Sequence, residues 1–245
     1  MKSLAKQMFV ELKLYIREPQ AFFFTLIFPL IVLFVFGEIF GNDPYQMLGG
    51  RGNMDVSIPG YIVMVIGTTA LLGIPITLAS YREQGVLRRM QATPVSPAVL
   101  LVVQVLVQLL MTGIGICLLV IAGRWVYDLY LPEAPVAVGI AILLSCLGLF
   151  SIGFMLAAIV STARGAQVVG MSLYFPMLFM GGAAIPLAHL PDSIQRVSDF
   201  LPLTYAIKLI SNLWFGDGWT LSAVLFMGVC LIMGVTVTVC FFRWR

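Results

Sequence analysis

Six apolar runs divide this chain, and each is long enough to cross a bilayer as a helix. They lie near Ala21 to Phe40, Ile58 to Ser80, Ala98 to Ile121, Val136 to Val160, Ala166 to Ile185 and Trp219 to Phe242. A hydrocarbon core of ~30 Å takes ~20 helical residues. Lipid offers no partner to backbone amides, so a spanning segment must satisfy its own hydrogen bonds. The expected fold is therefore all-α: a polytopic membrane protein with six transmembrane helices. The loops between the runs are too short for a soluble domain, so residues 1–245 read as a single membrane domain. Composition agrees, with 60% hydrophobic and 10% charged residues, against about a quarter charged in soluble domains.

Orientation follows from the basic residues. With the N-terminus cytoplasmic, the inner side holds Lys2, Lys6, Lys13, Arg17, Arg82, Arg88, Arg89, Arg164, Arg243 and Arg245, ten in all. The outer side holds four: Arg51, Arg124, Arg196 and Lys208. Lys and Arg in short loops are retained inside, which predicts that both termini are cytoplasmic. The net charge of +3 is spread by membrane side rather than gathered in a patch. Membrane lipid is the expected surrounding, and nucleic acid is excluded as a partner.

Residues 1–19 carry Leu4, Met8, Leu12 and Tyr15 at helical spacing with Phe9 and Ile16 beside them. Lys6, Gln7, Glu11, Lys13, Arg17 and Glu18 fill the other side, with Val10 and Leu14 as exceptions, and an ordinary positively charged flank is the alternative reading. That pattern predicts a helix lying in the inner headgroup region and turning at Pro19 into the first run. The run that follows is too long for a cleaved signal peptide.

The fifth run meets Pro176, Gly181-Gly182 and Pro186 in quick succession. Such breakers free backbone groups that protein or water must cover. Beyond them, residues 186–215 mix Leu201, Tyr205, Leu209 and Trp214 with Pro191, Asp192, Asp199, Pro202 and Lys208. The apolar stretches there are too short to cross, so short helices re-entering the outer leaflet are expected. Glycine pairs such as Gly113 and Gly115, or Gly148 and Gly153, read as close helix packing.

Residues 81–96 form the most strongly charged loop after the first run. Val86, Leu87 and Met90 gather on one side of a short helix, Arg82, Arg88 and Arg89 face elsewhere, and Thr93-Pro94 ends it. A charged peg of this kind suits contact with a soluble partner. Arginines that only fix topology and sit in headgroups are the alternative, although topology makes no demand for Glu83 or Gly85.

Catalytic chemistry is hard to place. Cys117, Cys146, Cys230 and Cys240 lie within apolar runs without zinc spacing, and His189 is the single histidine, so no metal ligands are assigned. Within the runs, Glu38 is the one ionisable side chain besides cysteine and tyrosine, and Ser151 has no histidine near it in sequence. No G-x-x-x-x-G-K-[ST] run is present to cradle phosphates. The chain is expected to be non-catalytic and to bind no cofactor.

Two motifs resemble a known family. Glu83-x-Gly85-x-Leu87 followed by Thr93-Pro94-Val95-Ser96 resembles the cytoplasmic loop after the second span of type-2 ABC (ATP-binding cassette) exporter permeases. Gly-Gly-Ala-Ala-Ile-Pro at 181–186, Leu190-Pro191 and Leu201-Pro202-Leu203-Thr204-Tyr205 resemble that family's segment after span five. Among these, the drug- and antibiotic-export permeases are most similar. The resemblance implies that the loop is a coupling helix docking on an ATPase through Glu83, Gly85, Leu87, Arg88 and Arg89. It implies a separate ATPase subunit in two copies, holding ATP and magnesium, and a second copy of this permease or a paralogue. Spans two and five would bound the cargo path, with Met64, Thr68, Thr69, Tyr174, Phe175, Phe179 and Met180 along it. The implied function is outward movement of a hydrophobic or amphipathic drug, antibiotic or lipid-like compound across a bacterial or archaeal plasma membrane. A lipid-linked glycan exporter, an intramembrane enzyme and a membrane sensor subunit are the alternatives.

Overall fold

Helix is the only regular element among the described residues, as a chain solvated by lipid requires. The computed structural model describes residues 2–16, 18–44, 50–86, 97–185, 187 and 190–241. In chain order the helices are α1 (Lys2–Ile16), α2 (Pro19–Phe22), α3 (Phe28–Phe40), α4 (Asn53–Thr68), α5 (Ile74–Glu83), α6 (Pro97–Tyr127), α7 (Pro135–Ile159), α8 (Ala163–Met180), α9 (Asp192–Ser198), α10 (Pro202–Trp214) and α11 (Leu221–Phe241). Single π-helical turns, Phe23–Ile27 and Thr69–Gly73, join α2 to α3 and α4 to α5.

Among the described residues, five stretches are long and apolar enough to cross a membrane: Phe23–Phe40, Asn53–Glu83, Leu101–Tyr127, Pro135–Ile159 and Leu221–Cys240. The run expected at Ala166–Ile185 is not among these five. It forms α8, whose first turns carry Arg164 and Gln167. The helix also stops at Met180, short of Ile185. There the Gly181 N–H donates to the Met177 carbonyl at 2.8 Å, and Gly182 takes φ +88°, a conformation that breaks the helix. The second stretch is longer than its apolar run suggests and starts at Asn53, where the Asn42 side-chain oxygen accepts the Met54 and Asp55 N–H groups at 3.1 and 3.2 Å. That oxygen satisfies donors a helix N-terminus otherwise leaves open.

The α4–α5 stretch is the centre of the molecule. Tyr61, Ile62, Val63, Met64, Val65 and Ile66 are all buried, because a helix apolar on every side has no face to give to solvent. By contrast α11 exposes Leu225, Val229, Ile232 and Val239, an outer surface suited to lipid. The amphipathic α1 buries Tyr15 against Val103, Val107 and Met111 of α6, with Met8 and Leu12 at the edge of the same cluster. Phe9, Val10, Leu14 and Ile16 remain exposed.

Two sets of polar contacts define the ends of the bundle. At one end the Arg82 guanidinium reaches the carbonyls that close α7. At the other, buried Asp55 accepts the Gly52 N–H at 3.0 Å and the Tyr130 N–H at 2.9 Å, and the Trp214 indole donates to the Tyr130 carbonyl at 3.1 Å. Asn42 donates there to the Tyr127 carbonyl at 2.8 Å. The C-termini of α5 and α7 therefore share one end, and the start of α4 and the C-terminus of α6 share the other.

α8 runs antiparallel to α4–α5. A Cβ on Gly170 would stand 2.3 Å from the Leu71 carbonyl oxygen, and one on Gly60 would stand 2.8 Å from that of Ala183. On the opposite flank, a Cβ on Gly153 of α7 would fall 2.1 Å from the Ala70 carbonyl oxygen. Both carbonyls belong to the π-helical turn, so two glycines admit the widened part of the central helix. Gly148 is similarly pressed against Met227 of α11, while Gly113 faces no neighbour.

The segment expected at 186–215 holds α9 and α10 among its described residues. α10 is sharply amphipathic, and Leu203, Ala206, Leu209, Ile210, Leu213 and Trp214 are buried against α4, α7 and α11.

Candidate functional site

The loop after α5 begins with a defined helix stop. The Gln84 N–H donates to the Ser80 carbonyl at 3.0 Å and the Gly85 N–H to that of Arg82 at 3.1 Å. Gly85 has φ +66° and open space where a Cβ would stand. Its lack of a side chain thus lets the backbone take the left-handed conformation that ends a helix. Glu83 is exposed at this tip. Leu87, Arg88 and Arg89 lie outside the described residues, as do Thr93, Pro94 and His189.

Arg82 points back into the protein instead of out from the peg. Its Nη1 donates to the Val160 carbonyl at 2.8 Å and its Nη2 to that of Ala157 at 3.0 Å. These are carbonyls at a helix C-terminus, where a cation meets the negative end of the helix dipole. The residue next to Glu83 is thereby fastened to α7.

The residues expected along the cargo path divide into two groups. Met64, Thr68, Thr69 and Tyr174 are buried within the chain. The Tyr174 hydroxyl donates to the Met64 carbonyl at 3.3 Å, holding α8 to α4, and the Thr68 hydroxyl donates to the same carbonyl at 2.8 Å. Phe175, Phe179 and Met180 are partly or fully open on α8, with Phe179 at 51% exposure. The fold brings the first group together behind the second. Ser151 is occupied structurally, donating to the Gly148 and Cys230 carbonyls at 2.7 and 2.9 Å.

The structure also joins polar residues that sequence reading passed over. Gln104, Gln108 and Thr112 lie four apart on α6 and are buried. Thr112 donates to the Thr69 hydroxyl at 3.1 Å, the hydroxyls of Thr69 and Thr25 are 3.5 Å apart, and Tyr15 donates to Thr25 at 2.8 Å. One chain of hydroxyls thus runs from α1 through the first and second of the five long apolar stretches to the third. Spacing within α6 signals the stripe, but the hydroxyl chain it joins through Thr112 is built from residues of three other stretches.

Beside this chain a cleft of about 340 Å³ opens between α1, α5 and α6. Glu11, Glu18, Thr77, Ser80, Tyr81, Gln84 and Gln104 supply its polar lining. The Tyr81 hydroxyl donates to Glu11 Oε2. Burial pushes the carboxyls of both Glu11 and Glu18 above the ordinary carboxylate range, because desolvation disfavours the charged form.

The family model described as ABC-2 type transporter matches residues 5–215, from α1 to just past α10. A protein of Cyanophora paradoxa named transport permease ycf38 is 26% identical over 227 residues, covering 91% of this chain and 77% of that protein. Transport permease YvfS of Bacillus subtilis (strain 168) is 23% identical over 205 residues, 82% of this chain and 81% of its own. Nodulation protein J of Rhizobium leguminosarum bv. viciae is 30% identical over 125 residues, 51% of this chain and 43% of its own.

Proposed function

The chain belongs to the ABC-2 type transporter family, and from that premise we propose that it is the membrane half of an ATP-driven exporter. Membership establishes the coarser statement, a multi-pass transport permease subunit of an ABC transporter. The finer reading is ours. The permease moves a hydrophobic or amphipathic drug, antibiotic or lipid-like compound outward across a bacterial or archaeal plasma membrane. It pairs with a second copy or a paralogue and is driven by two copies of a separate ATPase that binds ATP and magnesium.

One observation carries this reading. The family match covers residues 5–215, from α1 through α10, in a sequence with no phosphate-cradling loop of its own. Other features support its parts. α8, at 18 residues, has a length of ~27 Å and runs beside the central helix, which suits a sixth crossing. The ten-to-four split of basic residues favours cytoplasmic termini and a cytoplasmic coupling helix. In that helix Glu83, Gly85, Leu87, Arg88 and Arg89 make the ATPase contact. α9 and α10 re-enter the outer leaflet. Phe175, Phe179 and Met180 face the path, backed by Met64, Thr68, Thr69 and Tyr174.

The test is coexpression and reconstitution with candidate ABC ATPases from the same organism. Inside-out vesicles should accumulate an amphipathic dye with ATP, and the dye should stimulate hydrolysis. An ATPase that binds the permease but gives no ATP-dependent uptake of any amphipathic compound would overturn the cargo class. Failure of the two proteins to copurify would overturn the pairing.

A further inference from the structure

The cleft between α1, α5 and α6 has features the packing of the bundle does not need. Gln104 is 2% exposed, lines the cleft, and its Oε1 has no hydrogen-bond partner. Burying an unpaired acceptor is unfavourable, and native proteins rarely leave one without a ligand, ion or water to meet it. Around it stand two carboxylates, Glu11 and Glu18, and the hydroxyls of Thr77, Ser80 and Tyr81. Among the described residues lining the cleft there is no lysine, arginine or histidine to balance the acids.

We propose that this cleft binds the primary ammonium group of an amphipathic molecule, with Glu11, Glu18 and Gln104 accepting its hydrogen bonds. An ammonium carries three donors and no acceptor, which matches a lining of acceptor oxygens. Leu14, Pro19 and Val107 give the apolar wall for the attached chain. The volume of about 340 Å³ falls within the ~300–1,000 Å³ of small-molecule sites. A divalent cation is less well served. Mg²⁺ and Ca²⁺ take six or more oxygens with several carboxylates or waters, and no group of three His, Cys, Asp or Glu side chains stands together among the described residues. The raised affinity of Glu11 and Glu18 for protons fits the same environment, since a bound cation would replace the proton as counter-charge.

The cleft lies at the α5 end of the bundle, beside the loop read as cytoplasmic. A compound taken from the inner leaflet would meet it first. The cargo role rests on the exporter reading, whereas binding itself does not.

The experiment measures binding of n-dodecylammonium to the full chain in phosphatidylcholine nanodiscs at neutral pH, with n-dodecanol as the uncharged control. Saturable binding of the amine alone is expected. Glu11→Gln with Glu18→Gln should weaken it about ten-fold or more, as loss of charge-assisted hydrogen bonds does. Gln104→Leu should also weaken it, yet raise the melting temperature of the ligand-free protein, because a buried acceptor without a partner has been removed. A merely structural glutamine would not give that pair of effects, and this variant decides the matter if the double variant fails to fold. Nanodiscs containing phosphatidylethanolamine separate two sources of the same group. Competition by the lipid assigns the site to a headgroup amine, and no competition assigns it to a free amphipathic amine. Equal binding of dodecanol, or unchanged amine binding in both variants, overturns the proposal. No ATPase enters the measurement, so a failure here leaves the exporter reading standing.

Discussion

Arg82 and Val160 are joined by a 2.8 Å hydrogen bond between guanidinium Nη1 and carbonyl oxygen, and this bond fixes the end of the central helix to the end of α7. Any force applied at Glu83 is delivered one residue from that joint. Arg82→Met keeps an unbranched apolar stem and removes both hydrogen bonds to the Ala157 and Val160 carbonyls. The expected loss is about 1–2 kcal/mol of stability, from charge-assisted hydrogen bonds at a helix C-terminus. Thermal unfolding in detergent measures it, and unchanged melting would remove Arg82 as a joint.

A second prediction concerns the π-helical turn at Thr69–Gly73. The Ala70 and Leu71 carbonyls stand where Gly153 and Gly170 leave room. Those contacts are to backbone, so the neighbour cannot swing aside. Gly153→Ala and Gly170→Ala should each force α7 or α8 away from the central helix. The cost is about 1–3 kcal/mol or more, as overpacking a close-packed interior does. Gly113→Ala, where nothing lies within 4 Å, should be tolerated and serves as the control in the same melting assay.

Five of the six runs were legible as stretches able to cross a membrane because each is apolar over bilayer length, and the burial of α4–α5 follows from its lack of a polar face. The close approach at Gly153 was legible too, as a small residue in an apolar run. Arg82 was not. Its partner Val160 is 78 residues away, and a basic residue at a span end reads equally well as a topology signal. The stop at Met180 was visible as Gly181-Gly182, but the apolar residues beyond it mask the break. Glu11 and Glu18 looked like the solvated side of an amphipathic helix. Only the packing of α1 onto α6 puts them against Gln104.

Gly85 and Glu83 separate two effects at the end of α5. Replacing Gly85 by Ala places a Cβ on a residue with φ +66°, which costs roughly 1–2 kcal/mol without any clash. Gly85→Asn should cost less, because asparagine tolerates the left-handed region. Glu83→Lys, at an exposed position, should leave the melting temperature almost unchanged. If this loop grips the ATPase, Glu83→Lys lowers ATP-driven export per folded complex while stability holds. Full export in that variant would take Glu83 out of the contact.

The pH dependence of the α1 packing has a definite sign. Burial raises the carboxyl pKa of Glu11 and of Glu18 in the folded state. Their contribution is therefore fully present below the unfolded value of about 4.3 and is lost as pH rises through the higher folded values. Lys13 lies on the exposed side of α1, and Arg82 is engaged with α7. Neither lines the cleft. Glu11→Gln with Glu18→Gln should flatten the stability profile above that window and raise the melting temperature at neutral pH. A double variant with the same pH profile as the parent would show that these carboxyls are not desolvated.

Phe179 tests where cargo meets the permease. The ring is half exposed on α8, whereas Tyr174, one turn and a residue earlier, is fully buried and bonded to Met64. Phe179→Ala therefore creates no large internal cavity, and its effect on melting should stay within about 0.5 kcal/mol. Removing the ring does take away apolar contact area, worth roughly 25 cal/mol per Å² to any compound that touches it. Export should fall for bulky apolar cargo and fall less for small cargo. Enlarging Thr69 to Trp gives the opposite case. Thr69 is buried and accepts from Thr112, so Thr69→Trp should lower yield and melting temperature and reduce export of every compound in proportion to folded protein. Export per folded complex, measured for several compounds beside oligomeric state and melting temperature, distinguishes the two. A uniform loss in Phe179→Ala that tracks dissociation of the permease pair would place the ring between protomers and remove it from the path.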